Sequence, residues 1–450
     1  MERPRPAGTD ADVAVAVEPG RFLALSRDPA KSAEAIRAHS AADAARWPEF
    51  VGRLRKLAGF LEALYVTPAP DISASAPAEL IPLLGLARKF RGLGRRDSIE
   101  LLRTLPLSVW ELAADWFESA PLQAAIASGG IQEHRHGPRA GGTGFVLLHH
   151  LTGAAPGAIR GRTPCSSEAF TRAAAETARR FGVDVRCGAA AQQIEIRDYG
   201  VSGVVLGSGE VIPTPTVLST ASPATTFLDW LDPVWLDPEF LHAVANIRYR
   251  GCSTYVAYAL ERLPDLPGLA DGALDGTVSL TSSVPALERA ADASKYGTVA
   301  ERPHVEFTIP SRVAPDLAPS GKHVLVARAQ YTPYRLRDGV WDSGRRDAMA
   351  QAVTAAIEAV SPCFSSRILH RAAWTPLDLE ERFGLREGAT SQGELGLDQI
   401  LFMRPVAGWG GHTTPIAGLY TGGAGSHPGP GVLGGAGWLA ARRMLRDRRS

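Results

Sequence analysis

The chain has 450 residues, 45% hydrophobic and 21% charged, a globular composition that excludes disordered and collagen-like classes. Forty-eight Lys and Arg balance 47 Asp and Glu to a net charge of +1, which removes the electrostatic case for a nucleic-acid partner. No apolar run reaches the roughly 18 uncharged residues of a spanning helix, and at roughly 150 residues per domain the length predicts two to three domains, or one large one with insertions.

The segment Met1–Asp10 has no apolar core of a secretory signal, and Cys165, Cys187, Cys252 and Cys363 are too scattered for a CxxC pair. Reduced thiols in a cytoplasmic protein are the expectation. Asp28 before Pro29 predicts a helix start, with the helix running to His39. After Ser40, Trp47, Phe50, Val51, Leu54, Leu57, Phe60, Leu61 and Leu64 recur on one face of a second helix. Pro68 to Pro77 reads as a loop. Ser108 and Glu111 form a capping box that opens a third helix through Phe117. His149 and His150 follow the apolar run Phe145–Leu148; on a strand they face opposite ways and cannot meet at one metal.

Glu168–Phe181 reads as a helix stopped by Gly182, and Val183–Cys187 as a strand. Ile194–Ile196, Val201–Leu206 and Val211–Leu218 predict hairpins. Thr254–Leu260, His304–Ile309 and His323–Ala329 alternate as in a half-exposed antiparallel sheet. Asp347–Val360 reads as helical, and Val432–Leu445 as a closing helix after a glycine-rich stretch. Strands mixed with long helical inserts predict α/β or α+β with interleaved domains.

The chemistry is concentrated in that stretch, Gly418 to Gly437. A short strand enters a glycine loop and a helix leaves it. Glycine lets backbone approach a ligand, and a helix N-terminus offers free N–H groups to an anion. Gly429-Pro-Gly431-Val-Leu-Gly434 matches GxGxxG, but only 16 residues follow Gly434, too few for the second strand and acidic residue of a Rossmann unit. His427 lies inside the loop, and Trp409 and Tyr420 flank it. His134 and His136 with Glu133 have the spacing of a weak metal site, for which a solvated loop is the plainer reading, so no metal is expected. Basic clusters at Arg88–Arg96 and Arg442–Arg449 read as solvated faces or a peripheral membrane contact. HExxH, P-loop and GxSxG signatures are absent.

Several strings run in family order: Asp115-Trp-Phe-Glu-Ser119, Val146-Leu-Leu-His-His150, Thr308-Ile-Pro-Ser311, Gln330-Tyr-Thr-Pro-Tyr334, Thr375-Pro-Leu-Asp-Leu-Glu380, Leu397 to Pro405, and Thr414 to Tyr420. With the glycine motif, they make the chain resemble the phytoene-desaturase-like, amine-oxidase-like FAD-dependent oxidoreductases. Within that group it is most similar to the pyridine nucleotide-disulphide oxidoreductase domain-containing branch. The resemblance implies an α/β fold with an α+β substrate domain: an incomplete Rossmann-type FAD-binding domain (1–39, 151–230 and 400–450) interleaved with an antiparallel-sheet and helical domain (40–150 and 231–399).

The resemblance also implies that Gly423, Gly425, Ser426, His427, Gly431 and Val432 line the flavin and its ribityl–phosphate chain, and that Ala191 offers backbone to the adenine. The implied reaction takes a hydride from an apolar, lipid-like or amphipathic substrate onto FAD. It designates no catalytic residue. Two departures weaken FAD binding by this chain alone. The family's opening βαβ unit with its own GxGxxG, at least ~30 residues, is not found, and a family Arg-Gly-Gly-Met-Gly stretch has become Arg160-Gly-Arg-Thr-Pro-Cys165. The Gly418–Thr421 strand is therefore expected to need a cover: Val13–Val17, a second subunit in a homodimer, or a separately encoded N-terminal partner. The alternatives are a cofactor-free binding module and a non-redox isomerase or cyclase using the same cavity.

Overall fold

The computed structural model describes residues 10–69, 77–155, 157–161, 167–432 and 434–448. Twelve strands occur among them: β1 (Ala11–Glu18), β2 (Arg21–Ser26), β3 (Ala191–Arg197), β4 (Gly200–Leu206), β5 (Val211–Pro213), β6 (Val217–Ser219), β7 (Ser253–Leu260), β8 (Thr277–Ser279), β9 (His304–Thr308), β10 (His323–Gln330), β11 (Ile368–Trp374) and β12 (Leu419–Thr421). The chain divides into two compact units. One comprises 1–59, 95–171 and 251–388, the other 60–94, 172–250 and 389–450.

The first unit is built on a seven-stranded sheet of order β11-β7-β10-β9-β8-β1-β2. Its pairings are antiparallel except for the parallel β1–β8 pair, so the sheet is mixed. Alternation gives the sheet two unlike faces. Val256, Tyr258, Leu325, Ala327, Val305 and Phe307 point to one side, into an apolar core shared with Met349, Val353 and Ile357 of helix Ser343–Glu358.

The other face is polar and buried. Register places Arg328 opposite both Tyr255 and Glu306. Arg328 donates to Glu306 at 2.8 Å and to Glu133 at 3.0 Å, and Arg160 donates to Glu306 at 3.3 Å. Tyr255 Oη donates to Glu133 at 2.7 Å. Each buried guanidinium thus meets a carboxylate, the condition under which such charges are tolerated. Glu306 is held at about 2: burial pushes it up, but Arg160 and Arg328 pull it further down. His304, beside it, is lowered to about 4 chiefly by burial, against the pull of Glu306. Asp12 accepts from the Ile159 N–H at 2.6 Å and is raised to about 6 by burial, which outweighs that bond and Arg160.

The predicted helix signals hold. Asp28 accepts from the Ala30 N–H at 2.8 Å and caps helix Pro29–Arg37, and the Ser108–Glu111 capping box opens helix Val109–Trp116. Two expectations change. Phe145–His150 belongs to a helix, Thr143–His150, so His149 and His150 are successive helical residues with ring centroids 5.4 Å apart. Val183–Cys187 forms no strand, and its residues are exposed. The structure also adds β2, β8 and β11, which the sequence reading did not pick out, and it splits Val211–Leu218, since only Val211–Pro213 makes the hairpin with β4 while Val217–Ser219 pairs parallel with β12.

The second unit holds a three-stranded antiparallel sheet, β3-β4-β5, and the parallel pair β6–β12. Its core joins Ile194, Val201, Phe227, Phe240, Val244, Val406, Ile416 and Leu419. Among the described residues no helix is long and apolar enough to cross a membrane.

Candidate functional site

The glycine motif occupies the second unit. β12 pairs with β6 through Leu419–Val217 and Thr421–Ser219, and the chain then loops through Gly422–Gly434 into helix Gly435–Asp447. Gly418 must be glycine: it sits at φ 81°, and a Cβ would lie 2.2 Å from the Pro215 carbonyl oxygen. The second edge of β12 is met from within the unit. Thr421 N–H donates to the His412 carbonyl at 3.0 Å, His412 Nδ1 donates to the Thr421 carbonyl at 2.9 Å, and Thr413 bridges Tyr420. Val13–Val17, one cover expected for that edge, instead pairs inside the seven-stranded sheet.

The loop has two limbs. On the inner limb Gly425, Ser426 and His427 are buried and Gly423 is half-buried. A Cβ on Gly423 would stand 2.3 Å from the Thr220 carbonyl oxygen, and one on Gly425 would stand 2.4 Å from Pro223 Cδ. These glycines are therefore required by the fold itself. Gln392 ties the limb down, donating from Nε2 to the Thr220 carbonyl at 3.1 Å and accepting from the Gly425 N–H at 3.0 Å.

His427 has no exposed surface and packs between Phe402 (centroids 5.1 Å) and Tyr65 (6.2 Å). Its ring nitrogens face the backbone of Leu401, Leu64 and Thr67 and no side-chain partner. Burial, then His412, lowers the ring to about 4, so it is neutral at physiological pH. Buried and neutral, it is a packing group.

The outer limb is open. Gly431 is exposed, Val432 is half-buried, and Gly429, Gly431 and Gly434 lie at φ 110°, 77° and 69°. Helix Gly435–Asp447 starts from Gly434 with no side-chain cap, and a Cβ at Gly434 or Gly437 would meet nothing within 4 Å. An uncapped helix start reached through positive-φ glycines leaves N–H groups without a side-chain cap, an arrangement that suits a phosphate-bearing chain, although a Cβ on Gly435 would meet Val432 at 2.8 Å. The far end is braced: Tyr420 Oη donates to Asp447 at 3.0 Å and Arg443 Nε donates to the same carboxylate at 3.0 Å.

Ala191 is the first residue of β3, half-buried and paired with Leu206. Just before it, residues 186–190 and Leu206–Ser208 line a cavity of about 490 Å³. This is room enough for a planar ring system. The predicted set thus comprises an inner limb fixed by packing, an outer limb open to a ligand, and Ala191 beside a cavity. Arg162, Pro164 and Cys165 lie outside the described residues. Their neighbour Gly161 is described, and a Cβ there would meet the His150 carbonyl at 2.0 Å. Sequence reasoning missed Gln392 and Arg404, which grip the loop from 20 to 33 residues upstream. The only available signal was an arginine amid the apolar residues of Leu401–Val406.

No protein-family model matches the chain. Pyridine nucleotide-disulfide oxidoreductase domain-containing protein 2 of Rattus norvegicus is 33% identical over 454 residues, covering 96% of this chain and 77% of that protein. The Mus musculus protein of the same name is 31% identical over 451 residues, covering 95% and 77%. Among solved structures, a double mutant of putrescine oxidase, made in a redesign of its cofactor binding, matches 98% of this chain and 82% of that one with a TM-score of 0.52 at 11% identity. A triple mutant matches the same shares with a TM-score of 0.51 at 12%. At such identity the likeness is one of fold.

Proposed function

The chain belongs to the family of pyridine nucleotide-disulfide oxidoreductase domain-containing protein 2, and from that membership we propose that it is a flavin-dependent oxidoreductase of the phytoene-desaturase-like kind. FAD, when bound, supplies the hydride acceptor for an apolar or amphipathic substrate. The observation that carries this reading is the open outer limb: Gly429, Gly431 and Gly434 feed a helix start that no side chain caps. In it, the N–H groups of that start would hold the phosphates, Val432 would lie by the ribityl chain, and Ala191 would offer backbone at the adenine end. The inner limb, fixed by Thr220, Pro223 and Gln392, keeps the loop from collapsing into the space the cofactor needs. His427, neutral and buried, takes no proton in this reading.

A second reading has one observation in its favour. Gly423 and Gly425 are demanded by protein packing whether or not a ligand binds, so the motif would persist in a cofactor-free binding module or a non-redox isomerase. Absorption spectra of the purified chain before and after incubation with FAD separate the two. Flavin bands that co-elute with the protein, and that bleach anaerobically with an apolar substrate, are the expected result. A folded chain that stays colourless at saturating FAD overturns the flavin reading in favour of the second.

A further inference from the structure

Arg404 is among the largest fully buried side chains, with 0% exposure. A guanidinium in such a place ordinarily faces a carboxylate. Here its partners are peptide oxygens. Nη1 donates to the carbonyls of Gln399 (2.9 Å) and Glu394 (3.4 Å), and Nη2 to those of Ser391 (2.9 Å), Gly393 (3.1 Å) and Ala424 (3.0 Å). Nε has no partner. The Glu394 carboxylate is engaged by Arg250, whose Nε donates to it at 2.8 Å. Burial lowers Arg404 only to about 10, so it stays charged at neutral pH.

Four of the five acceptors lie in the segment 391–399. The fifth, Ala424, lies between Gly423 and Gly425 of the inner limb. The segment is curled to bring its carbonyls together: Gln392 sits at φ 50° and Gly393 at φ 123°. Gln392 then reaches the same limb from the other side through the Gly425 N–H. Two side chains of one loop therefore grip the same peptide group of the glycine motif, Arg404 by the Ala424 carbonyl and Gln392 by the Gly425 N–H.

We propose that Arg404 is a positioning residue for the cofactor loop, a buried cation that fixes the Ala424 carbonyl and thereby holds the inner limb Gly423–Ser426, from which the outer limb that receives the dinucleotide departs. The proposal rests on the flavin reading for the identity of the ligand, but its structural half does not. Five short-range dipoles screen the charge less completely than a carboxylate would. Its field therefore favours added negative charge on a ligand held at the loop.

The test uses the full chain with Arg404→Lys and Arg404→Gln, each checked for wild-type circular dichroism, in two measurements. The first is amide hydrogen exchange without flavin. Both variants are expected to exchange about tenfold faster at Gly422–Ser426 than wild type, a one-decade loss of local protection, with helix Ser343–Glu358 unchanged. The second is the flavin midpoint potential. Arg404→Gln is expected to shift the reduced-to-oxidised ratio about tenfold, to a potential lower by about 30 mV for the two-electron couple, whereas Arg404→Lys keeps the wild-type value. Unchanged loop exchange in both variants overturns the proposal. So does a glutamine variant that keeps the wild-type potential. If the wild-type chain takes up no flavin, the functional reading fails by that result, while the exchange measurement still decides whether Arg404 shapes the loop.

Discussion

The two units bury arginine in opposite ways. On the polar face of the seven-stranded sheet, Arg160 and Arg328 share Glu306, and Glu133 takes the second hand of Arg328, so the positive charges are matched by carboxylates. In the second unit Arg404 is enclosed by five carbonyls. The first arrangement makes a neutral, self-sufficient layer that joins β9, β10 and the segments holding Glu133 and Arg160. The second leaves a cation without a carboxylate beside the glycine loop. Matched pairs specify how one sheet is covered; an unmatched cation suits a place where negative charge arrives from outside the chain.

The largest effect expected from disturbing this contrast is in the matched layer. Glu306→Gln leaves Arg160 and Arg328 short of a charge, and denaturant titration should show a loss of about 3–5 kcal/mol. A smaller loss without change in the unfolding slope would mean that Glu133 carries the layer alone.

Acid comes next, and its sign follows from the direction of each shift. His150, His304 and His427 are all lowered from 6.5 to about 4, so as pH falls through that window the unfolded chain takes up protons that the native chain refuses. Asp12, raised from 3.8 to about 6, opposes them, since the native chain binds its proton more tightly over nearly the same interval. With three histidines against one aspartate, stability should fall by about 5 kcal/mol in net between pH 6.5 and 4. The stability due to Glu306, held at about 2, is present above 4.5 and is lost only below it. Asp12→Asn should steepen the upper decline, and a flat unfolding midpoint between pH 7 and 4 would contradict the scheme.

Smaller still is Gly423→Ala, whose new methyl must displace the Thr220 carbonyl; about 1–3 kcal/mol of stability and most of any FAD affinity should go. At the open end, Gly437→Ala adds a methyl where nothing lies within 4 Å and should stabilise the helix by about 0.5–1 kcal/mol. If the two alanine variants behave alike in thermal melts, the distinction between inner and outer limb fails.

Much of the fold was legible because its signals are local. Asp28 with Pro29 and Ser108 with Glu111 mark helix starts in a few residues, and alternation in 254–260 and 323–329 marks strands without knowledge of their partners. What failed needed partners. Val183–Cys187 has strand-like residues, but a strand exists only where another pairs with it. Phe145–Leu148 is a short apolar run whose period cannot separate helix from strand, and burial of both His149 and its neighbours settled it as a helix. In the site, the glycine string was visible as a string. Whether a given glycine serves a ligand or a neighbouring carbonyl depends on Thr220, Pro223 and Gln392, which no spacing rule joins to it. Arg404 stood in the family-like string Leu397–Pro405, but its role was not legible, since its acceptors are peptide oxygens and leave no trace in side-chain pattern.

The order of the seven-stranded sheet bears on how the chain is made. β1 completes its place only by pairing with β8, about 260 residues later; at a synthesis rate of roughly 5–20 residues per second, the β1–β2 hairpin waits on the order of 13 to 50 seconds for it. Two strands alone are marginally stable in water, and Val13, Val15, Leu23 and Leu25 stay uncovered meanwhile. The emerging chain therefore carries a sticky ribbon through most of its translation, so its yield in a cell should depend on chaperone capacity more than the stability of the finished sheet suggests.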